Sequence, residues 1–242
     1  MTYQVKEVQN ISDVCEESWD SIKNNVYIRL INKKYANEKY SDLILVNFLD
    51  LVLAFYVRNN NKIHLLTTND IQKYNISLKE LRKYSFQNSF NEKNVRLETV
   101  IDKMTNNNLV MNLIAGSSDT KTEVNNMTFP TSPSKIPVLF LSSSRILYGS
   151  SLIVSQKVVE EICMAFDYDS FYIVPITVNE LMCIKKTYLE STKRYEGENV
   201  EKRMLRLLEM SNDSCDKDAK DILSYSIYLY DNEDKAYMAI KQ

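Results

Sequence analysis

Residues 137–186 read PVLFLSSSRILYGSSLIVSQKVVEEICMAFDYDSFYIVPITVNELMCIKK. The stretch opens on an apolar run, crosses a serine-rich turn and returns as a second apolar run over residues 148–154. A helix follows, because Val158, Val159, Ile162, Cys163 and Phe166 recur at helical spacing while Glu160 and Glu161 fall on the other face. Ser155 stands where a helix cap belongs. Residues 171–176 (FYIVPI) then form another strand. Two strands joined through a helix suit a right-handed crossover within one sheet. The fold class expected is therefore α+β: a mixed, largely antiparallel sheet of hairpins with packed helices and one strand–helix–strand unit.

Upstream, residues 26–31 (VYIRLI) read as a strand. The run LILVNFLDLVLAFYVR over residues 43–58 is ambiguous between helix, strand and both. Its β-branched and aromatic residues after Asp50 favour a strand over residues 50–58, preceded by a short helix to about Phe48. Asn59-Asn60-Asn61 suits a hairpin turn, since asparagine tolerates positive φ, and residues 63–67 return as the partner strand. Thr68 or Asn69 can cap a short helix ending near Tyr74. Ser77 and Glu80 have capping-box spacing and open a helix with Leu78, Leu81, Ser85 and Phe86 inward. Leu97, Val100, Ile101 and Met104 make one more helical stripe, and Val14, Cys15, Trp19 and Ile22 another after a cap at Ser12.

Residues 116–136 are rich in Ser, Thr, Asn and Pro and read as a loop. The chain is thus one α+β domain over residues 1–242, or two subdomains, 1–115 and 137–242, joined by that loop. Past the central stretch, Asn199 starts a helix with Val200, Met204, Leu207 and Leu208 inward. A shorter helix is expected over residues 218–223, then a hairpin of residues 227–231 and 236–240 around Asn232-Glu233-Asp234.

Composition narrows the function classes. Thirty basic against thirty-two acidic side chains leave a net charge of −2, too small a field to attract nucleic acid or an anionic membrane. The longest apolar run, residues 43–57, falls short of the roughly 20 residues a membrane span needs. There are only three glycines, Gly116, Gly149 and Gly197, so no phosphate-cradling loop can be written. The four cysteines form no CxxC pair and His64 is the only histidine, which leaves no zinc ligand set and implies no cofactor. Without a signal peptide, reduced thiols in the cytoplasm are the expectation.

KIHLLTTNDIQKYNISLKELRKYS, over residues 62–85, resembles a strand–helix–helix segment of an uncharacterised clostridial family. That family carries the domain of unknown function numbered fifty-six eighty-eight. VYIRLIN, FLDLVLAFYVR, SFYIVPITVNELMCI and DILSYSIYLYD fit its pattern in order and spacing, and together the pieces cover most of residues 26–231. The resemblance implies an α+β fold and a bacterial or mobile-element origin; it implies no activity. The Ser/Thr/Pro-rich loop stands apart from the family core.

Each candidate for chemistry has a plainer account beside it. His64 could act as a base only with a positioned partner, and the sequence identifies none. Thr67, Thr68, Asn69 and Asp70 lie at a strand end before a helix, a place that often holds ligands, yet capping explains them too. Asp50 either opens a buried strand or ends a helix. Ser142–Ser144 and Ser150–Ser151 lack the G-x-S-x-G elbow of a nucleophile. Tyr228 and Tyr230 share one side of a late strand and could grip a partner, or simply cover a sheet edge. The function expected is a non-catalytic interaction or regulatory protein with a protein partner, and Thr68, Asn69, Asp70, Tyr228 and Tyr230 as its surface. The alternative is a hydrolase whose carboxylates meet only in the fold.

Overall fold

Strand β4 (Leu51–Asn59) is the centre of the first sheet, because Leu51 to Val57 are buried without a break. The structure, a computed structural model, describes residues 6–8, 18–91, 95–100, 102, 137–143, 147–191, 199–213 and 221–241. One edge of β4 pairs along its length with β2 (Val26–Asn32). Its other edge is shared by β3 (Leu45–Phe48) and β5 (Lys62–Leu65), each joined to β4 by a tight hairpin. Positive φ at Leu49 and Asn60 closes these two turns. A two-residue strand, β1 (Lys6–Glu7), lies parallel to β5.

β3 corrects the helix expected up to Phe48: four apolar-rich residues cannot separate the two periods, and cross-strand pairing with β4 decides. Around this sheet lie α1 (Trp19–Ile22), α2 (Lys33–Lys39), α3 (Thr68–Tyr74) and α4 (Leu78–Ser89). The Asn32 side chain caps α2, accepting from the amides of Lys34 and Tyr35. Ser77 caps α4 through the Glu80 amide, but the Glu80 carboxylate accepts from Trp19 Nε1 at 2.9 Å, so only half the capping box closes. Leu78, expected inward, is exposed, whereas Leu81 is buried.

The second sheet is antiparallel throughout, in the order β11-β10-β8-β9-β7-β6. Its strands are β6 (Val95–Thr99), β7 (Val138–Ser143), β8 (Phe171–Thr177), β9 (Glu180–Lys185), β10 (Ile227–Asp231) and β11 (Ala236–Ile240). β6 replaces the helical stripe expected through Leu97, which pairs with Leu141; Ile101 and Met104 lie outside the described residues. Residues 148–154 are not a strand either. Gly149–Val154 is a 3-10 turn, entered through Tyr148 at φ 65°. A Cβ on Gly149 would stand 2.6 Å from the Asn179 carbonyl oxygen and from the Ser143 nitrogen, so only glycine fits there. The helix after it, α5 (Gln156–Ala165), buries the face the sequence indicates.

β7 and β8 both run antiparallel to β9, which lies between them. They are therefore parallel to each other, and the 3-10 turn and α5 form the connection of a split β-α-β unit. The connection begins at β7, not at the strand expected over residues 148–154. α6 (Lys186–Ser191) follows β9, and α7 (Val200–Asp213) covers the outer face of β8 and β10. On α7 the buried set is Met204, Leu205 and Leu208, while Leu207 is exposed, a one-step rotation from the expected face. Asp221–Leu223 is not helical, and the rest of the helix expected at 218–223 lies outside the described residues.

One apolar core runs between the sheets. Ile28, Leu30, Phe55 and Leu81 reach it from the first half, and Leu141, Ile162, Phe166 and Ile173 from the second. The halves expected as subdomains thus share a core among the described residues; the loop at residues 116–136 and Cys15 lie outside them.

Candidate functional site

The turn between β3 and β4 delivers Asp50 to the start of β10. Its Oδ2 accepts from Ser226 Oγ at 2.7 Å and, more weakly, from Ser224 Oγ at 3.4 Å. Its Oδ1 accepts from the Tyr228 hydroxyl at 2.8 Å. Ser224 Oγ accepts from the Ser226 amide, and the Ser224 carbonyl accepts from Asn212 on α7. Burial, with the Asp50 charge second, pushes the Tyr228 hydroxyl well above its ordinary range, so it is a fixed donor here. The apolar void beside it, lined by Leu30, Phe48, Ile173, Tyr228 and Tyr237 among others, measures about 10 Å³, room for one water at most.

A second polar cluster ties α3 to β5. Asp70 is the third residue of α3 and is buried. Its Oδ2 accepts from the Thr67 amide and the Thr67 hydroxyl, both at 2.8 Å, and lies 2.9 Å from His64 Nε2. Thr67 Oγ1 accepts from the Asp70 amide in return, which completes a capping box. The cap is thus Thr67; Thr68 and Asn69, expected in that role, are exposed in the first turn. His64 Nδ1 lies 3.1 Å from the Val8 carbonyl oxygen. Burial works against charge on the ring, but the Asp70 hydrogen bond, the Val8 carbonyl and the charges of Asp70 and Asp42 outweigh it and raise its pKa. Burial likewise opposes ionisation of Asp70, yet the His64 and Thr67 donors hold its pKa below the ordinary carboxylate value.

A third cluster lies at β1. Glu7 Oε2 accepts from Arg29 at 3.2 Å and Oε1 from the Tyr40 hydroxyl at 2.6 Å. The buried Arg29 guanidinium stacks 4.1 Å from the centre of the Tyr148 ring.

The five residues expected at an interaction surface, at the strand end and on the last hairpin, have different surroundings. Tyr228 and Tyr230 are 4% and 6% exposed, and β10 lies between β8 and β11, so they are core residues rather than a gripping face or an edge cover. Tyr228 belongs to the Asp50 cluster, whereas Asp70 belongs to the His64 cluster. Ser150 and Ser151 are buried and donate to the carbonyls of Val178 and Tyr148, at 2.6 and 2.8 Å. The pairing of Thr67 with Asp70 was within reach of the sequence, since Thr67-x-x-Asp70 has capping-box spacing; the approach of His64 to Asp70 was not. The partners of Asp50 are more than 170 positions away and leave no local trace.

Among the described residues no three His, Cys, Asp or Glu side chains gather as a metal site requires. No helix among them is long and apolar enough to cross a membrane. Fold and clusters together define a two-sheet α+β protein with internally bonded polar groups. Over residues 2–232 the chain matches the family described as "Family of unknown function (DUF5688)", and it belongs to that family. No curated protein and no solved structure matches it.

Proposed function

We propose that this chain is a non-catalytic interaction or regulatory module whose partner is a protein. One observation carries the reading. His64, Asp50 and Asp70, the side chains best suited to acid–base work, direct their polar atoms at hydrogen bonds inside the fold. A general base needs a lone pair turned towards a substrate, and an imidazole held at both nitrogens has none to offer. Apolar side chains are turned outward instead: Met164 on α5 with Tyr168 in the turn after it, and Leu207 with Met210 on α7. The near balance of charge favours a protein over a nucleic acid. A cytoplasmic setting fits the free, buried thiols of Cys163 and Cys183. A bacterial, mobile-element origin belongs to the same reading and rests on the family resemblance.

The test pairs two measurements. Purified protein should turn over nothing in a broad hydrolase and nuclease screen. Affinity capture from the native host should return a protein whose retention drops with Met210→Glu or Tyr168→Glu. Turnover that disappears with Asp50→Ala or Asp70→Ala would establish the carboxylate-based hydrolase instead.

A further inference from the structure

His64 stands between two groups that only accept. The Val8 carbonyl faces Nδ1 at 3.1 Å and Asp70 Oδ2 faces Nε2 at 2.9 Å. Asp70 Oδ2 already takes two donors from Thr67, so it acts as an ionised acceptor. A neutral imidazole carries one N–H and can satisfy only one of the two. In that form the other nitrogen would turn a lone pair on a carbonyl or a carboxylate. Only the imidazolium serves both.

Val8 follows directly on β1, and its amide donates to the Ile63 carbonyl at 2.8 Å. The short segment of residues 6–8 is therefore held to β5 by parallel pairing, by this amide and by the His64 ring. We propose that His64 is a proton-loaded latch, whose imidazolium pins the strap of residues 6–8 to β5 and whose loss of a proton loosens it. When the proton leaves, the remaining hydrogen stays on Nε2, because a carboxylate is the stronger acceptor. Nδ1 then presents a lone pair to the Val8 carbonyl. Loosening the strap also draws Glu7 from Arg29 and Tyr40, so one protonation event is coupled to a buried guanidinium and to the edge of β5.

The charged groups on the surrounding elements are Lys6 and Glu7 on β1, Lys62 on β5 and Arg58 on β4. Asp70 and Lys73 belong to α3, and Asp42 to the segment bridged to Thr67. Glu7 is engaged by Arg29 and Tyr40. Asp70 and Asp42 are the two whose charge favours the protonated ring.

The chain has one histidine, so a ¹⁵N-labelled full-length sample shows a single pair of ring nitrogens. Their shifts are followed against pH, together with the hydrogen-exchange protection factor of the Val8 amide, which divides out base catalysis. The protection factor should fall about tenfold across the ring titration, the worth of one charge-assisted hydrogen bond. Both curves should share a midpoint. Asp42→Asn, at an exposed position, should move both midpoints to lower pH together. His64→Gln should leave Val8 protection low and independent of pH. Protection that stays flat through the ring titration would overturn the latch. So would a Val8 midpoint that ignores Asp42→Asn, or a neutral ring that keeps its proton on Nδ1.

Discussion

Asp50→Ala removes the carboxylate that links the first sheet to the start of β10. Ser226 loses its acceptor at 2.7 Å, and Tyr228 loses the carboxylate at 2.8 Å but keeps Ser224 Oγ within reach, also at 2.8 Å. A hydrogen bond to a charged group contributes about 1.5–3 kcal/mol, and a buried donor left without an acceptor costs a similar amount. Asp50 is itself half-buried, so water can enter the space an alanine leaves, and the low end of the range applies. The expected loss is about 2 kcal/mol, since only Ser226 is left without an acceptor. For a chain of this length that is a fall in Tm of roughly 4–8 °C. Tyr228→Phe removes the hydroxyl that lies 2.8 Å from both Asp50 Oδ1 and Ser224 Oγ and should cost about 1–1.5 kcal/mol. Urea denaturation of the two single variants and the double variant closes a cycle, with an expected coupling of about 1 kcal/mol between positions 178 apart in sequence. A loss below about 0.5 kcal/mol for Asp50→Ala, or additive single variants, would refute the view that this cluster joins the sheets.

Three further outcomes follow from the geometry. Gly149→Ala places a methyl group against two backbone atoms that cannot swing aside, and should lower stability by about 1–3 kcal/mol in the same denaturation assay. Ser89→Ala leaves the buried Ile28 amide, now bonded to Ser89 Oγ at 3.1 Å, without its acceptor, and should cost about 1–3 kcal/mol. Stability should also depend on pH through His64 and Asp70. His64 has a raised folded pKa, so its contribution is complete below the unfolded value of 6.5 and is lost as pH rises through the folded value. Asp70 has a lowered one, so its contribution is complete above 3.8 and is lost as pH falls through its folded value. Denaturation midpoints should therefore be highest between these limits, and His64→Gln should flatten the alkaline side.

Much of the fold was legible where a pattern repeats over many residues. The buried face of α5 lies where helical spacing puts it, and the strands at β2, β4, β8, β10 and β11 lie where runs of β-branched and aromatic residues put them. Misreadings of element type fall on short segments. β3 and β6 have four and five residues, too few to separate a helical stripe from a strand once neighbours pair with them. At residues 149–154 local β propensity is overruled because the chain must turn within contact distance of Ser143 and Asn179. Leu207 and Leu205 exchange roles because the sheet beneath α7 sets which stripe is covered.

The candidate site divides along the same line. Thr67 to Asp70 is a local device: residues three apart at a helix start satisfy each other's backbone, so its existence can be read from spacing. Tyr228 and Tyr230 share a face by strand alternation alone, and that much the sequence determined. Whether the face meets solvent or a core depends on β11 pairing outside β10 and on the other sheet lying against it, which no local pattern encodes. The sequence by itself determined the fold class, the spans of the strands at β2, β4, β8, β10 and β11 to within a residue, and the poverty of glycine and histidine. Only the tertiary structure decided that His64 meets Asp70 and Val8 and that Asp50 meets Ser226 and Tyr228. Hydrogen bonds join groups by distance in space, and the chain brings residue 50 to residue 226 only once both sheets have closed over a common core.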